Sequence, residues 1–362
     1  MTTQKIPNTQ FYKARILCFV GAVLLFVLAQ FGCSGTPRSL DKDESVMFLP
    51  TMALAADHNK DVTIDIHAWV FKDKDPSAFA SALSQYLGIK LEEQPAEKKS
   101  IFAERTKYFN AESLQNKQIA VRIGDQVYPL SMTDIKGRAH AKIKIDPQWV
   151  EWDSTGLGRV YYTLETPGHA DYGLKQYAWV LPREGVFVVS DVEDVIKHPY
   201  FLHNMQLLRN AFIEPFEAVN GAPERYREMA KNHRAFFVYL SVSPLPLYTS
   251  YSNFLDKEAF PPGYLYLRET SLYRSAFPKE GDIIEHKTNL LHRLANDFPD
   301  HQFILLGDSE QSDPEIYADF ARQYPKRVIH INIQNVTGDH RDAKRFQKTF
   351  SGVKPEVWTL QD

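Results

Sequence analysis

The stretch Gly185 to Val195, GVFVVSDVEDV, decides the fold of the second half of the chain. A short apolar run that ends abruptly on an acidic residue is the pattern of a strand buried on both faces. Working towards the C-terminus, the pattern recurs in AFFVYLS (Ala235 to Ser241), GYLYLR (Gly263 to Arg268), QFILLGD (Gln302 to Asp308) and RVIHINI (Arg327 to Ile333), which closes the set. Between these runs, Tyr200 to Phe212, Pro223 to Lys231, Leu247 to Leu255, Asp282 to Asp297 and Pro314 to Gln323 read as helices. Strands alternating with helices predict an α/β domain over residues 183–362, its parallel sheet covered on both faces. Ligands of such sheets bind beyond the carboxyl ends of the strands. Asp191, Ser241 and Asp308 stand there.

Working towards the N-terminus, residues 45–182 read as an antiparallel, sandwich-like β-domain. Its strands are VTIDIHAWVF (Val62 to Phe71), KQIAVRIG (Lys117 to Gly124), AHAKIKI (Ala139 to Ile145), RVYYTLE (Arg159 to Glu165) and QYAWVL (Gln176 to Leu181), with one helix near Pro76 to Leu87. No chemistry is visible in it. Residues 35–44 are a polar tether. Before it, Lys5, Lys13 and Arg15 precede the fourteen apolar residues Ile16 to Ala29 within residues 1–34. That order fits a signal peptide or membrane anchor and predicts export to the cell envelope, charges inside. Gly32-Cys33-Ser34 resembles a lipoprotein cleavage site; lipidation of Cys33, a retained anchor and simple signal cleavage all stay open.

At about 150 residues per domain, 362 residues predict two domains. Forty-two basic against 45 acidic residues leave a net charge of −3, which gives no basic surface for nucleic acid. The only cysteines, Cys18 and Cys33, precede both domains, so neither a disulfide framework nor a cysteine metal site holds the body together. The twelve histidines have no zinc-ligand spacing; His198, His203 and His286 read as surface residues or as supports behind a site.

An Asp, a Ser and a second Asp at neighbouring strand ends, with Lys287 on the intervening helix, suit phosphoryl transfer. One carboxylate can attack phosphorus and another hold Mg²⁺, while a hydroxyl and an ammonium offset the phosphoryl charge. Each residue also has a plainer reading: Asp313 before Pro314 as a helix N-cap, Ser241 as a strand end, Lys287 as a solvated helix residue. Gly307-Asp308-Ser309 separately resembles the nucleophile block of GDS-type esterases, with Ser309 attacking.

The stretches VVSDVEDVIK, LLRNAFIEPFEAVNGAPERY, FFVYLSVSPLPLY, FPPGYLYLRE and FILLGDSEQSDPEIYADFARQYPKRV, between about Gly185 and Val336, resemble the catalytic domain of phosphatidate phosphatases typified by the fungal actin-patch enzyme, within the haloacid dehalogenase superfamily. DESVMFLPTMA and IHAWVFKDK look like the N-terminal part of bacterial members. The resemblance implies a Rossmann-like fold without a large cap, since only about forty residues separate Asp191 from the next strand. It implies Asp191 as nucleophile and Mg²⁺ ligand, and residue 193 as acid/base with its carbonyl on the metal. Ser241 and Lys287 would contact the phosphoryl group, with Asp308 and Asp313 on the metal side. The substrate implied is phosphatidate or a related lipid phosphate, met at a membrane surface. Glu193 and Val195 stand where the family has Asp and Thr. The alternative they leave open is a non-catalytic or weakly active phosphate-binding envelope protein.

Overall fold

The computed structural model describes residues 38–55, 62–165, 175–198, 204–233, 235–269 and 279–361. The apolar run Ile16 to Ala29, both cysteines and His203 lie outside them. Among the described residues, no helix is long and apolar enough to cross a membrane.

The N-terminal half forms two sheets. β1 (Glu44–Leu49), β3 (Val62–Lys72), β4 (Glu112–Ser113) and β7 (Arg138–Ile145) make the first, all antiparallel. The second holds β2 (Met52–Leu54), β5 (Ala120–Ile123), β6 (Gln126–Pro129), β8 (Glu151–Trp152), β9 (Gly158–Glu165) and β10 (Lys175–Leu181). It is antiparallel except where β10 runs parallel to β2. Ile64, Ile66 and Val46 from the first sheet meet Val121, Val160, Ala178 and Val180 from the second in one buried core. Alternation in β3, with Thr63 and His67 exposed, supplies that inner face, as the period of two requires.

The second half is an open six-stranded parallel sheet. Its order is β13 (Gly263–Arg268), β12 (Ala235–Pro244), β11 (Val186–Asp191), β14 (Gln302–Asp308), β15 (Val328–Gln334), β16 (Trp358–Gln361). Between the strands lie α3 (Asn204–Phe212), α4 (Ala222–His233), α5 (Tyr248–Lys257), α6 (Glu280–Asp297), α7 (Asp313–Gln323) and α8 (Lys344–Thr349). Alternate residues of one strand enter different cores. Phe187, Val189, Phe236, Val238 and Leu305 pack with α6 and α7, whereas Val188, Phe237, Tyr239 and Leu306 pack with α3, α4 and α5. That double coverage is why these strands read as unbroken apolar runs.

Three expectations are corrected. The sheet does not close at Ile333, because β16 adds an edge strand too short to carry a pattern of its own. Two helices, not one, follow β3: α1 (Ser77–Tyr86) and α2 (Ala96–Thr106). The second is masked in sequence by its charge, AEKKSIFAERT. Finally, residue 182 does not separate two cores. Leu83, Leu87 and Phe102 of the α1–α2 pair lie in the core of the parallel sheet beside Phe212, Ile213 and Phe216. β10 is a shared wall: Ala178 and Val180 face the β-sandwich, while Trp179 and Leu181 face the α/β core. Ser39–Asp362 thus form one compact unit.

Candidate active site

β12, β11 and β14 are neighbours at the centre of the sheet, so their carboxyl ends share one crevice. Asp191 ends β11, and its Oδ1 accepts from the Val192 amide at 2.9 Å. Asp308 ends β14, where its Oδ1 accepts from the Glu310 and Gln311 amides at 2.7 and 2.9 Å, folding the next turn around the carboxylate. Its Oδ2 is buried with no hydrogen-bond partner. Asp313 is the first residue of α7, not its N-cap; Ser312 holds that position. The Asp313 side chain points inwards, its Oδ2 accepting from the Asp308 amide at 3.2 Å. Gly307 permits that approach, since a Cβ there would lie 2.5 Å from Asp313 Oδ2.

Lys287 joins these groups. It is fully buried on α6, not solvated, and its Nζ lies 2.6 Å from both Asp191 Oδ2 and Asp313 Oδ1. Gln311 Oε1 lies 3.4 Å away. Burial pulls its ammonium down, but Asp191 and Asp313 outweigh that and raise it above the usual lysine range. Asp191, Asp308 and Asp313 each offer an oxygen within 4.8 Å of the others and could together hold a metal ion. One ammonium faces three buried carboxylates. Burial first, then repulsion from Asp313, pushes the Asp308 carboxyl up to about 7. Burial raises Asp191 well above its ordinary value too; Lys287 opposes that, and the neighbouring acids add to it.

Glu193 is placed differently. Its carboxylate is not among those three but turns towards β12, where Oε1 accepts from Ser241 Oγ at 2.9 Å and Tyr251 Oη at 2.7 Å, with Ser243 Oγ at 3.5 Å. Its Oε2 is buried without a partner. The Glu193 carboxylate thus stands apart from the three Asp carboxylates, its stem reaching across to three hydroxyls. Ser241 lies inside β12, which runs on to Pro244, so it does not terminate its strand. Val195 buries its methyls in the core beside Val192 and Ile196.

The sequence reading missed two contributors, Asp194 and Tyr251. Asp194 adopts φ 65°, a left-handed conformation that Asp tolerates, and closes the turn after Asp191 through its amide on the Lys197 carbonyl. Burial pushes its carboxyl up to about 9, and its Oδ1 has no partner. Tyr251 reads in sequence as a core aromatic, and only its hydroxyl reveals the second role. His286 stacks on Tyr266 with centroids 4.7 Å apart, and its Nε2 lies 3.1 Å from the Ser241 carbonyl, which puts it behind the site. His198 lies in the loop beyond the Asp191 turn, where its amide donates to the Glu217 carbonyl at 2.8 Å. Ser309 is fully buried, its Oγ accepting from the Val336 and Thr337 amides. A hydroxyl that ties down a loop in this way is not presented as an esterase nucleophile.

The family model described as phosphatidate phosphatase APP1, catalytic domain, matches residues 186–335. Residues 186–335 are thus similar to the APP1-type phosphatidate phosphatase catalytic domain. The chain is 26% identical over 285 residues to phosphatidate phosphatase APP1 of Saccharomyces cerevisiae, which is 74% of this chain and 46% of that protein. It is 27% identical over 186 residues to an uncharacterised protein of Schizosaccharomyces pombe, 49% of this chain and 30% of that one. The chain therefore spans less than half the length of either relative. A carbohydrate esterase of Cellvibrio japonicus overlaps it with a TM-score of 0.20 and 10% identity over 87% of this chain and 96% of that one, too weak a likeness to bear on fold or function. Asp191, Glu193, Ser241, Lys287, Asp308 and Asp313 all fall inside the APP1-type segment.

Proposed function

We propose that this protein is a Mg²⁺-dependent phosphomonoester phosphatase of the haloacid dehalogenase type, acting on phosphatidate or a related lipid phosphate. The observation that carries the reading is Lys287 Nζ at 2.6 Å from both Asp191 and Asp313, with Asp308 beside them at the central strand ends. Buried carboxylates exceed buried cations there. A hard divalent cation on Asp191, Asp308 and Asp313 would offset the excess, and the partnerless Asp308 Oδ2 suits it. Bound there, Mg²⁺ would supply charge neutralisation for the phosphoryl oxygens.

The chain's own groups carry the rest. An Asp191 oxygen attacks phosphorus, and the ester P–O bond breaks. The leaving oxygen takes a proton from the Glu193 carboxylic acid, giving diacylglycerol when phosphatidate is the substrate. Glu193, now a carboxylate, takes a proton from the water that attacks the aspartyl-phosphate, which releases phosphate and restores Asp191. Ser241 and Tyr251 hold Glu193 Oε1, leaving Oε2 to carry the proton. Lys287 opposes the protonation that burial favours at Asp191 and holds the carboxylate in place. An N-terminal anchor at Ile16 to Ala29, or a lipid on Cys33, would hold this site against its substrate in the envelope membrane; Cys33→Ser, followed by membrane fractionation, separates the two.

A panel of lipid and soluble phosphate esters, with and without Mg²⁺, tests the reading, with Asp191→Asn as control. Mg²⁺-dependent phosphate release by the wild type, lost in Asp191→Asn, is the expected result. One observation favours the second reading, a phosphate-binding protein without turnover: three hydroxyls already engage Glu193, and Val195 offers no hydroxyl. An inert wild type that still binds inorganic phosphate would select it.

A further inference from the structure

A residue outside the matched segment packs behind the site. Arg105, on α2 of the N-terminal half, is buried, and its Nη1 donates to the Asn210, Ala211 and Glu214 carbonyls at 3.2, 3.1 and 2.7 Å. Those carbonyls lie at the C-terminal end of α3, where the helix dipole favours a cation. The same guanidinium lies over the Phe216 ring, 3.6 Å from its centroid. Phe216 packs against Tyr251 at 4.8 Å, and Tyr251 donates to Glu193 Oε1. The Lys197 ammonium also faces the Phe216 ring, at 4.9 Å, and the Lys197 backbone closes the turn that holds Glu193 and Asp194. Beside Arg105, Glu104 accepts from Ser250 on α5, the neighbour of Tyr251, at 3.0 Å.

We propose that Arg105 is a positioning residue of the phosphatase site, acting through Phe216 and Tyr251 on Glu193. The inference rests on the phosphatase reading above. Arg suits this place better than Lys. Its planar guanidinium stacks on the ring while Nη1 alone reaches the three carbonyls, whereas an ammonium that met those carbonyls would offer no plane to lay on the ring. α2 packs through Phe102 into the core of the parallel sheet, so the support is anchored at its own base. A residue more than 80 positions before Glu193 in sequence thus sets the wall against which the acid is held. Misplacing such a group by about 1 Å costs on the order of a hundredfold in rate.

The test is steady-state kinetics of the full chain with a soluble aryl phosphate at saturating Mg²⁺. It compares the wild type, Arg105→Lys, Tyr251→Phe and the double variant, with amide exchange over residues 191–197 as a second readout. Arg105→Lys should lower kcat at least about tenfold, leave KM within about threefold, and speed exchange in the turn. The double variant should be no slower than the worse single by more than about twofold, because both act on one path. Phe216→Leu keeps the carbonyl bonds of Arg105 and removes only the ring; it covers the case in which Arg105→Lys fails to fold, and it should lower kcat in the same way. Unchanged kcat in Phe216→Leu and Arg105→Lys, or losses that multiply in the double variant, would overturn the proposal. A wild type that hydrolyses no phosphate ester removes the phosphatase reading and this inference with it, an outcome distinct from active variants.

Discussion

Asp308 keeps one carboxylate oxygen buried and unpartnered beside two further acids and a single ammonium. Removing that charge relieves repulsion in the metal-free protein and would remove a ligand of the proposed Mg²⁺. Asp308→Asn should therefore melt no lower than the wild type without Mg²⁺, and should lose most of the upward shift that Mg²⁺ gives the wild type. At about a hundredfold excess over its dissociation constant, a ligand adds about 2.7 kcal/mol to stability, enough to read by thermal melting. A full Mg²⁺ shift in Asp308→Asn would remove it from the metal site. His286 gives a pH prediction. Burial holds its imidazole down at about 4, against 6.5 in the unfolded chain. Between those values the unfolded state binds more protons, so stability rests on a neutral ring and falls as pH drops from about 6.5 through 4. His286→Asn lacks that proton uptake. The stability lead of the wild type over His286→Asn should narrow across that window in denaturant titrations, and a constant lead would show that the ring is not held neutral.

At the scale of elements, α2 teaches most. Its composition is charged and its apolar residues few, so nothing in its sequence marks it as a core helix. Tertiary contact overrides that weak local signal: Phe102 alone carries the helix into the parallel-sheet core, and Arg105 pins it to the end of α3. Phe102→Ala should cost about 3–5 kcal/mol, the usual range for deleting a buried aromatic ring. Chemical denaturation would read it, and a loss below about 1 kcal/mol would mean that α2 is only loosely docked. The strands tell the opposite story. β11, β12 and β14 are legible because burial on both faces leaves few polar positions inside them, although β12 runs on past Ser241 to Pro244.

For the whole molecule, β10 makes the two halves one folding unit. Trp179 and Leu181 on one face and Ala178 and Val180 on the other commit a single strand to two cores. Opening either core exposes the other. Residues 39–362 should therefore melt in one calorimetric transition, with matching calorimetric and van't Hoff enthalpies. A fragment beginning at residue 183 should fail to reach a folded state. Two separable transitions would restore a domain boundary at 182.

Most of the local order was set by the sequence alone, α2 and β16 excepted: the long strands, most helices, and where Asp191, Asp308 and Lys287 stand along them. Periodicity and burial patterning act over a few residues, so a single chain displays them. The sequence could not display distance between segments far apart in the chain. The 2.6 Å reach of Lys287 to both Asp191 and Asp313, the turn of Glu193 towards Tyr251, and the docking of α2 against α3 join residues separated by tens of positions. Such pairings depend on packing a particular set of side chains into shared cores, and only the tertiary structure decides them.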